Sequence, residues 1–112
     1  MQALELAKVA HGALDDKKAA DIVLLDVSKV SGITDYFLIA TGGSIPQLKA
    51  MFNEVQRALK QEGVQCYRRS GVPESGWLTL DYFDVILHMF SAEMRAYYAI
   101  ESLWEAAPVV PL

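Results

Sequence analysis

Between Asp35 and Gln61 the hydrophobic pattern changes period within a few residues, and that change limits what the chain can fold into. DYFLIAT (35–41) is a short apolar run with β-branched and aromatic residues, which predicts a strand. From Ser44 to about Gln61 the apolar residues return at helical spacing. Leu48, Phe52, Val55 and Leu59 share one side, with Met51 and Ala58 flanking, and Lys49, Asn53, Gln56 and Lys60 point outward. Gly63 suits the end of that helix. The joint between the two elements reads TGGSIPQ (41–47).

That joint admits two readings. Glycines before a helix start let a phosphate approach free backbone N–H groups. The same letters also make a well-capped helix. Ser44 can accept from the N–H of residue 47, Gln47 completes a capping box, and Pro46 sits in the first turn, where its missing N–H costs nothing. Neither GxxxxGK[ST] nor GxGxxG is present. A nucleotidyltransferase-like site needs a pair of carboxylates to hold Mg²⁺. The stretch that follows, MFNEVQRALK, is helical with Glu54 as its one acid, and the next strand-like stretch, QCYRR, has none. The residues favour the cap, and no metal or cofactor is expected.

The same pattern reading extends to both ends. Ala3, Leu6, Ala7, Ala10, Ala13 and Leu14 predict a helix over 3–18, with Lys17 and Lys18 near its C-terminus. DIVLLDV (21–27) predicts a buried strand and SKVSGIT breaks it. VQCYRR (64–69) predicts a third strand and SGVPESG (70–76) a loop. WLTLDYFDVILHMF (77–90) predicts two strands around a tight turn at Tyr82–Phe83. Ser91 caps a last helix that Pro108 stops, and 108–112 is expected as a short loose tail. The order α-β-β-α-β-β-β-α predicts an α/β fold, a mixed sheet of roughly five strands flanked by helices, in one domain over residues 1–107.

Composition narrows the function classes. A chain of 112 residues can enclose one core, and 53% hydrophobic residues place it among globular proteins. No apolar run approaches the roughly 18–20 residues that span a bilayer, and the N-terminus lacks the layout of a signal peptide, so a cytoplasmic protein without membrane partners is expected. One cysteine, Cys66, allows neither an internal disulfide nor a cysteine-rich metal site. The net charge of −4 argues against direct sequence-specific nucleic-acid binding and suits a basic protein partner.

The remaining chemical candidates lie downstream. Asp81 and Asp84 flank the hairpin turn, as an acid–base pair, as turn residues or as partner contacts. His88 lies three residues before Ser91, but no third member or oxyanion turn accompanies them. Trp77 is either core or a contact residue. With Leu78, Tyr82, Asp81, Asp84, Arg95 and Tyr98 around it, one hairpin and the next helix supply a better protein-binding surface than a pocket.

The segments DIVLLDV, TDYFLIATGGSIPQLKA and GWLTLDYFDVILHMFSAEMRAYYAIESLW resemble the ribosomal silencing factors, also called the Iojap family. The resemblance runs from about Leu4 to Trp104, and the combination of motifs carries it rather than any one piece. It implies a nucleotidyltransferase-like fold without that superfamily's catalytic motif, hence no enzyme. It also implies a partner, large-subunit ribosomal protein fourteen, on the face that meets the small subunit. Occupying that face hinders subunit joining and lowers translation when nutrients are scarce. Organelle relatives act in large-subunit assembly. The positions that match the family motif are Trp77, Leu78, Asp81, Tyr82, Asp84, His88, Arg95 and Tyr98. A homodimer is compatible with this reading, and a nucleotide-binding or nucleotidyl-transferring enzyme is the alternative. Two departures stand out. Phe83 replaces the usual glycine of Asp-Tyr-Gly-Asp, and Ser70-Gly71 stands where Glu-Gly is usual. A bulky residue at position 83 carries a steric cost if the turn requires positive φ.

Overall fold

A computed structural model describes all residues, 1–112. Helix α1 (Ala3–Asp16) leads into strands β1 (Ala20–Asp26) and β2 (Tyr36–Gly42), then helix α2 (Ile45–Gln61). Strand β3 (Arg68–Ser70), a 3₁₀ turn (Pro73–Ser75), β4 (Trp77–Asp81) and β5 (Val85–Ser91) follow. The chain ends in two short helices, α3 (Ala92–Tyr98) and α4 (Ile100–Leu103), and strand β6 (Val109–Val110).

The strands form one mixed sheet in the order β3-β4-β5-β2-β1-β6. Its centre is the parallel pair β2–β5, with Ile39 beside His88, and the other pairs are antiparallel. The architecture is the expected α/β fold with six strands in place of about five. The sixth comes from the segment expected to be loose. Val109 and Val110 pair with Leu25 and Leu24, and the Asp26 N–H donates to the Pro108 carbonyl at 2.9 Å. β-branched residues after a proline fit a short edge strand. Two other boundaries also differ. The third strand is only three residues long, and the last helix breaks at Ala99, whose φ is 46°.

Strand alternation divides the sheet into two unlike faces. On one, Leu24, Leu38, Ala40, Leu78, Leu80, Leu87 and Met89 pack against Leu6, Ala10 and Leu14 of α1 and Leu48, Met51, Val55 and Leu59 of α2. On the other, Leu25, Phe37, Ile39 and Phe90 meet Val27, Ile100, Ala107 and the flanking Met94 and Trp104. Two long helices thus cover one face, whereas two short helices cover part of the other.

The TGGSIPQ joint is a helix start. The Gln47 N–H donates to Ser44 Oγ at 3.1 Å, a cap that contributes about 1 kcal/mol. Gln47 departs from a capping box: its Oε1 accepts from the Gly43 N–H rather than from that of Ser44. Its Nε2 donates to the carbonyls of Lys17 and Lys18 at 3.0 and 2.9 Å, so one side chain ties the start of α2 to the end of α1. Gly42 is required by packing. A Cβ there would lie 2.8 Å from Leu48 Cδ2 and 3.0 Å from Met51 Sδ.

The β4–β5 turn bears out the concern over position 83. Phe83 has φ 69°, and the Asp84 N–H closes a tight bond to the Tyr82 carbonyl across it at 2.9 Å. That is the strained, positive-φ form of a three-residue turn. Two contacts offset the strain. The Phe83 N–H donates to Asp81 Oδ1 at 2.8 Å, and the ring packs on Tyr67 with centroids 4.2 Å apart. Phe83→Gly is expected to leave stability unchanged or raise it by up to about 1 kcal/mol, because relief of strain exceeds the loss of an exposed ring contact. Phe83→Val keeps the strain and loses the ring, and is expected to cost about 1–2 kcal/mol. Urea denaturation of the three proteins tests the order Gly, Phe, Val.

Candidate functional site

The half-open face of the sheet carries an aromatic platform. Trp77 of β4 stands opposite Phe90 of β5, and the two rings stack at 5.0 Å and 25°. Tyr98, at the end of α3, lies over the indole at 4.4 Å. His88 completes the layer from beneath. The Trp77 Nε1–H donates to His88 Nδ1 at 3.2 Å, and the Phe37 ring meets the imidazole edge-on at 4.9 Å. Phe37 also meets Trp104 edge-on at 5.6 Å, which ties the platform to the C-terminal segment.

The entry to Trp77 is built for close approach. Gly76 has φ 76°, and a Cβ there would lie 2.7 Å from both Ser91 Oγ and Met94 Cγ. Its carbonyl accepts from the Ser91 N–H at 2.9 Å, while Ser91 Oγ caps α3 by accepting from the Met94 N–H at 3.2 Å. The strand with the tryptophan and the helix with the tyrosine are therefore joined at one point.

Because Nδ1 accepts, the His88 proton sits on Nε2, and that atom is buried without a partner. Burial lowers the His88 pKa to about 4. A histidine whose folded pKa lies below its unfolded value of about 6.5 favours the fold when neutral. Its contribution is whole above pH about 6.5 and is lost as pH falls toward 4, because the unfolded chain binds the proton first. Stability is expected to drop by about 3 kcal/mol across that window. His88→Phe should flatten the dependence in denaturant midpoints measured from pH 7 to pH 4.

The motif positions fall into different environments. Trp77 is half-buried and Tyr98 is 44% exposed, so both are available on the open face. Leu78 points to the helix-covered core at 1% exposure, and Tyr82 lies on that side too at 5%. His88 is 9% exposed and supports Trp77 from within. None of the three is presented to a docked partner on the open face. Asp81 accepts from its own turn, and Asp84 is exposed while its carbonyl accepts from the Asp35 and Tyr36 N–H groups. Arg95 is engaged inside the protein. Nε and Nη2 bond the Glu101 carboxylate at 2.8 and 3.0 Å, and Nη1 donates to the Asp21 carbonyl and Thr41 Oγ1 at 2.7 and 2.8 Å. It holds the break at Ala99 against β1 and β2, and its hydrogen bonds to the Glu101 carboxylate, helped by its positive charge, keep that carboxyl below the usual range. The face also holds residues that the sequence reading passed over. Thr79 and Ile86 lie half-buried between Trp77 and the turn, and Arg68 pairs across β3–β4 with Asp81.

The phosphate-cradle position is a different place. A cavity of about 330 Å³ lies between Gly43–Ser44, Pro73–Gly76 and the start of α3. It contains Glu74 and Glu93, and the Gly43 N–H is already taken by Gln47. No group of three or more His, Cys, Asp and Glu side chains is placed to hold a metal ion. No helix is long and apolar enough to cross a membrane.

A family model described as ribosomal silencing factor during starvation matches residues 1–112. Ribosomal silencing factor RsfS of Halalkalibacterium halodurans is 39% identical over 108 residues, covering 96% of this chain and 92% of that protein. The Bacillus subtilis protein of the same name is 38% identical over 112 residues, covering 100% of this chain and 95% of its own. A crystal structure from Chromobacterium violaceum superposes with a TM-score of 0.90 at 39% identity, covering 94% of this chain and 88% of that one. These relatives are named for regulation and not for catalysis. The chain belongs to the ribosomal silencing factor family.

Proposed function

We propose that the protein represses translation by steric exclusion in the cytoplasm. It binds large-subunit ribosomal protein fourteen through the half-open sheet face and occupies the surface on which the small subunit would dock. The observation that carries this reading is the platform of Trp77 and Tyr98 on the face that no long helix covers. Exposed aromatic groups on a rigid support are what interface anchors require. Trp77 is held in one orientation by the bond to His88 and the stack on Phe90, so little side-chain entropy is lost on docking. The flanking Asp81, Asp84 and Arg68 supply a polar rim, and the net charge of −4 favours encounter with a basic protein. A contact of about 800 Å² per partner is enough to occupy such a position.

Co-sedimentation with purified large subunits tests the proposal. The protein is expected to pellet with large subunits and not with small ones. Failure to sediment with large subunits sinks it.

A further inference from the structure

A second concave site lies on the other side of the sheet edge, between α2 and β3. Its volume is about 380 Å³ and three cationic side chains, Arg57, Lys60 and Arg69, line it. Gln56, Gln65 and Tyr82 complete the polar lining. Such a cluster is out of keeping with a chain whose net charge is −4.

Local acids do not cancel it. Glu54 accepts from both Nε and Nη2 of Arg57, which offsets one positive charge. Arg69 Nε donates to the neutral Gln56 Oε1 at 2.8 Å, and neither salt bridge of the fold involves Lys60 or Arg69. The floor adds an independent observation. Tyr82 is 5% exposed, and its buried hydroxyl lies beside the Cys66 thiol with no nitrogen or oxygen partner. A buried hydroxyl without a strong acceptor is costly, and a ligand oxygen would recover that cost. Burial also pushes its pKa up, so it stays protonated and able to donate.

We propose that this cavity binds the phosphate end of a small phosphorylated molecule, held by Lys60, Arg69 and Arg57 at the rim and the Tyr82 hydroxyl at the floor. Tetrahedral phosphate oxygens accept charge-assisted bonds from several directions at once, which suits a ring of cations above a single donor. The volume matches a small-ligand site rather than a track for a polymer.

Titration calorimetry with inorganic pyrophosphate and with ADP, in low salt, tests the assignment. Saturable binding of pyrophosphate or ADP is expected, weakened by added salt. Lys60→Glu and Arg69→Glu should each lower affinity roughly tenfold or more, since each removes a charge-assisted contact. Both positions are exposed, so melting temperature should hold. Tyr82→Phe should melt at the same temperature or higher, because it removes a buried hydroxyl without a strong acceptor, yet bind more weakly. Cys66, the one thiol of the chain, also lines the cavity, so pyrophosphate should slow its reaction with a maleimide. No saturable heat with either probe would overturn the proposal. So would affinity unchanged in Lys60→Glu, Arg69→Glu or Tyr82→Phe, equal binding of citrate, or binding of single-stranded RNA alone.

Discussion

Phe90→Ala is expected to cost about 3–5 kcal/mol of folding stability. Phe90 is fully buried, and its ring is stacked under Trp77 while Ile39 and Ile100 share its cluster. This side of the sheet is closed by two helices of seven and four residues. Short helices have little capacity to shift and fill a hole, so the cavity term should stay large. The loss would remove half or less of the stability of a well-folded domain, and the whole of a marginal one. Guanidinium unfolding followed by tryptophan fluorescence should show a lower midpoint. Leu87→Ala, in the core beneath the long helices, should also destabilise the fold without disturbing the Trp77 stack.

Trp77→Ala is expected to reduce affinity for large subunits by roughly thirtyfold or more, the scale of about 2 kcal/mol for an aromatic anchor. Trp77 is half-buried, so the same change also loosens the fold by removing the stack and leaving His88 Nδ1 without its donor. Thr79→Arg separates the two effects. Thr79 sits on the same face, half-buried and beside His88 in the β4–β5 register. A long charged side chain there obstructs docking and can turn its head to solvent without entering the core. It should bind as poorly as Trp77→Ala while its melting temperature stays close to that of the unaltered protein. Arg95→Ala should behave oppositely. It breaks the links among Glu101, Asp21 and Thr41, so its first effect is on stability and on the position of Tyr98. The three variants are compared by titrating each against purified large subunits and melting each by circular dichroism.

The elements with strong local signals were legible in the chain itself. The cap at Ser44 and the helical spacing from Leu48 to Leu59 placed α2 within a residue of where it lies. The same holds for β1, β2 and the β4–β5 hairpin, where periodicity and burial act together, while α1 starts as expected and ends two residues earlier, at Asp16. What escaped depends on distant partners. Val109 and Val110 become a strand only because β1 offers a free edge. Ala99 carries no residue-level signal for left-handed backbone, and the break follows from the grip of Arg95 on β1 and β2. The joint at Gly43 was read correctly as a helix start, but the reach of Gln47 to the end of α1 is a contact across 29 and 30 residues that no local pattern encodes.

The family motif located the region of the candidate face and did not sort its members by role. Strand alternation alone separates Trp77 from Leu78, because neighbours on a strand face opposite sides. The motif names both, and the structure sends one to the open face and the other to the core. Arg95 illustrates the same limit. A charged residue on a terminal helix resembles a surface contact until its four bonds are in view.

The central claim is that the face bearing Trp77 and Tyr98 excludes the small subunit. Its most direct measurement is joining of purified ribosomal subunits, followed on sucrose gradients with and without the protein. The unaltered protein is expected to keep the subunits apart, and Thr79→Arg at the same concentration to let them join. Normal joining in the presence of the unaltered protein, or equal inhibition by Thr79→Arg, would contradict the account.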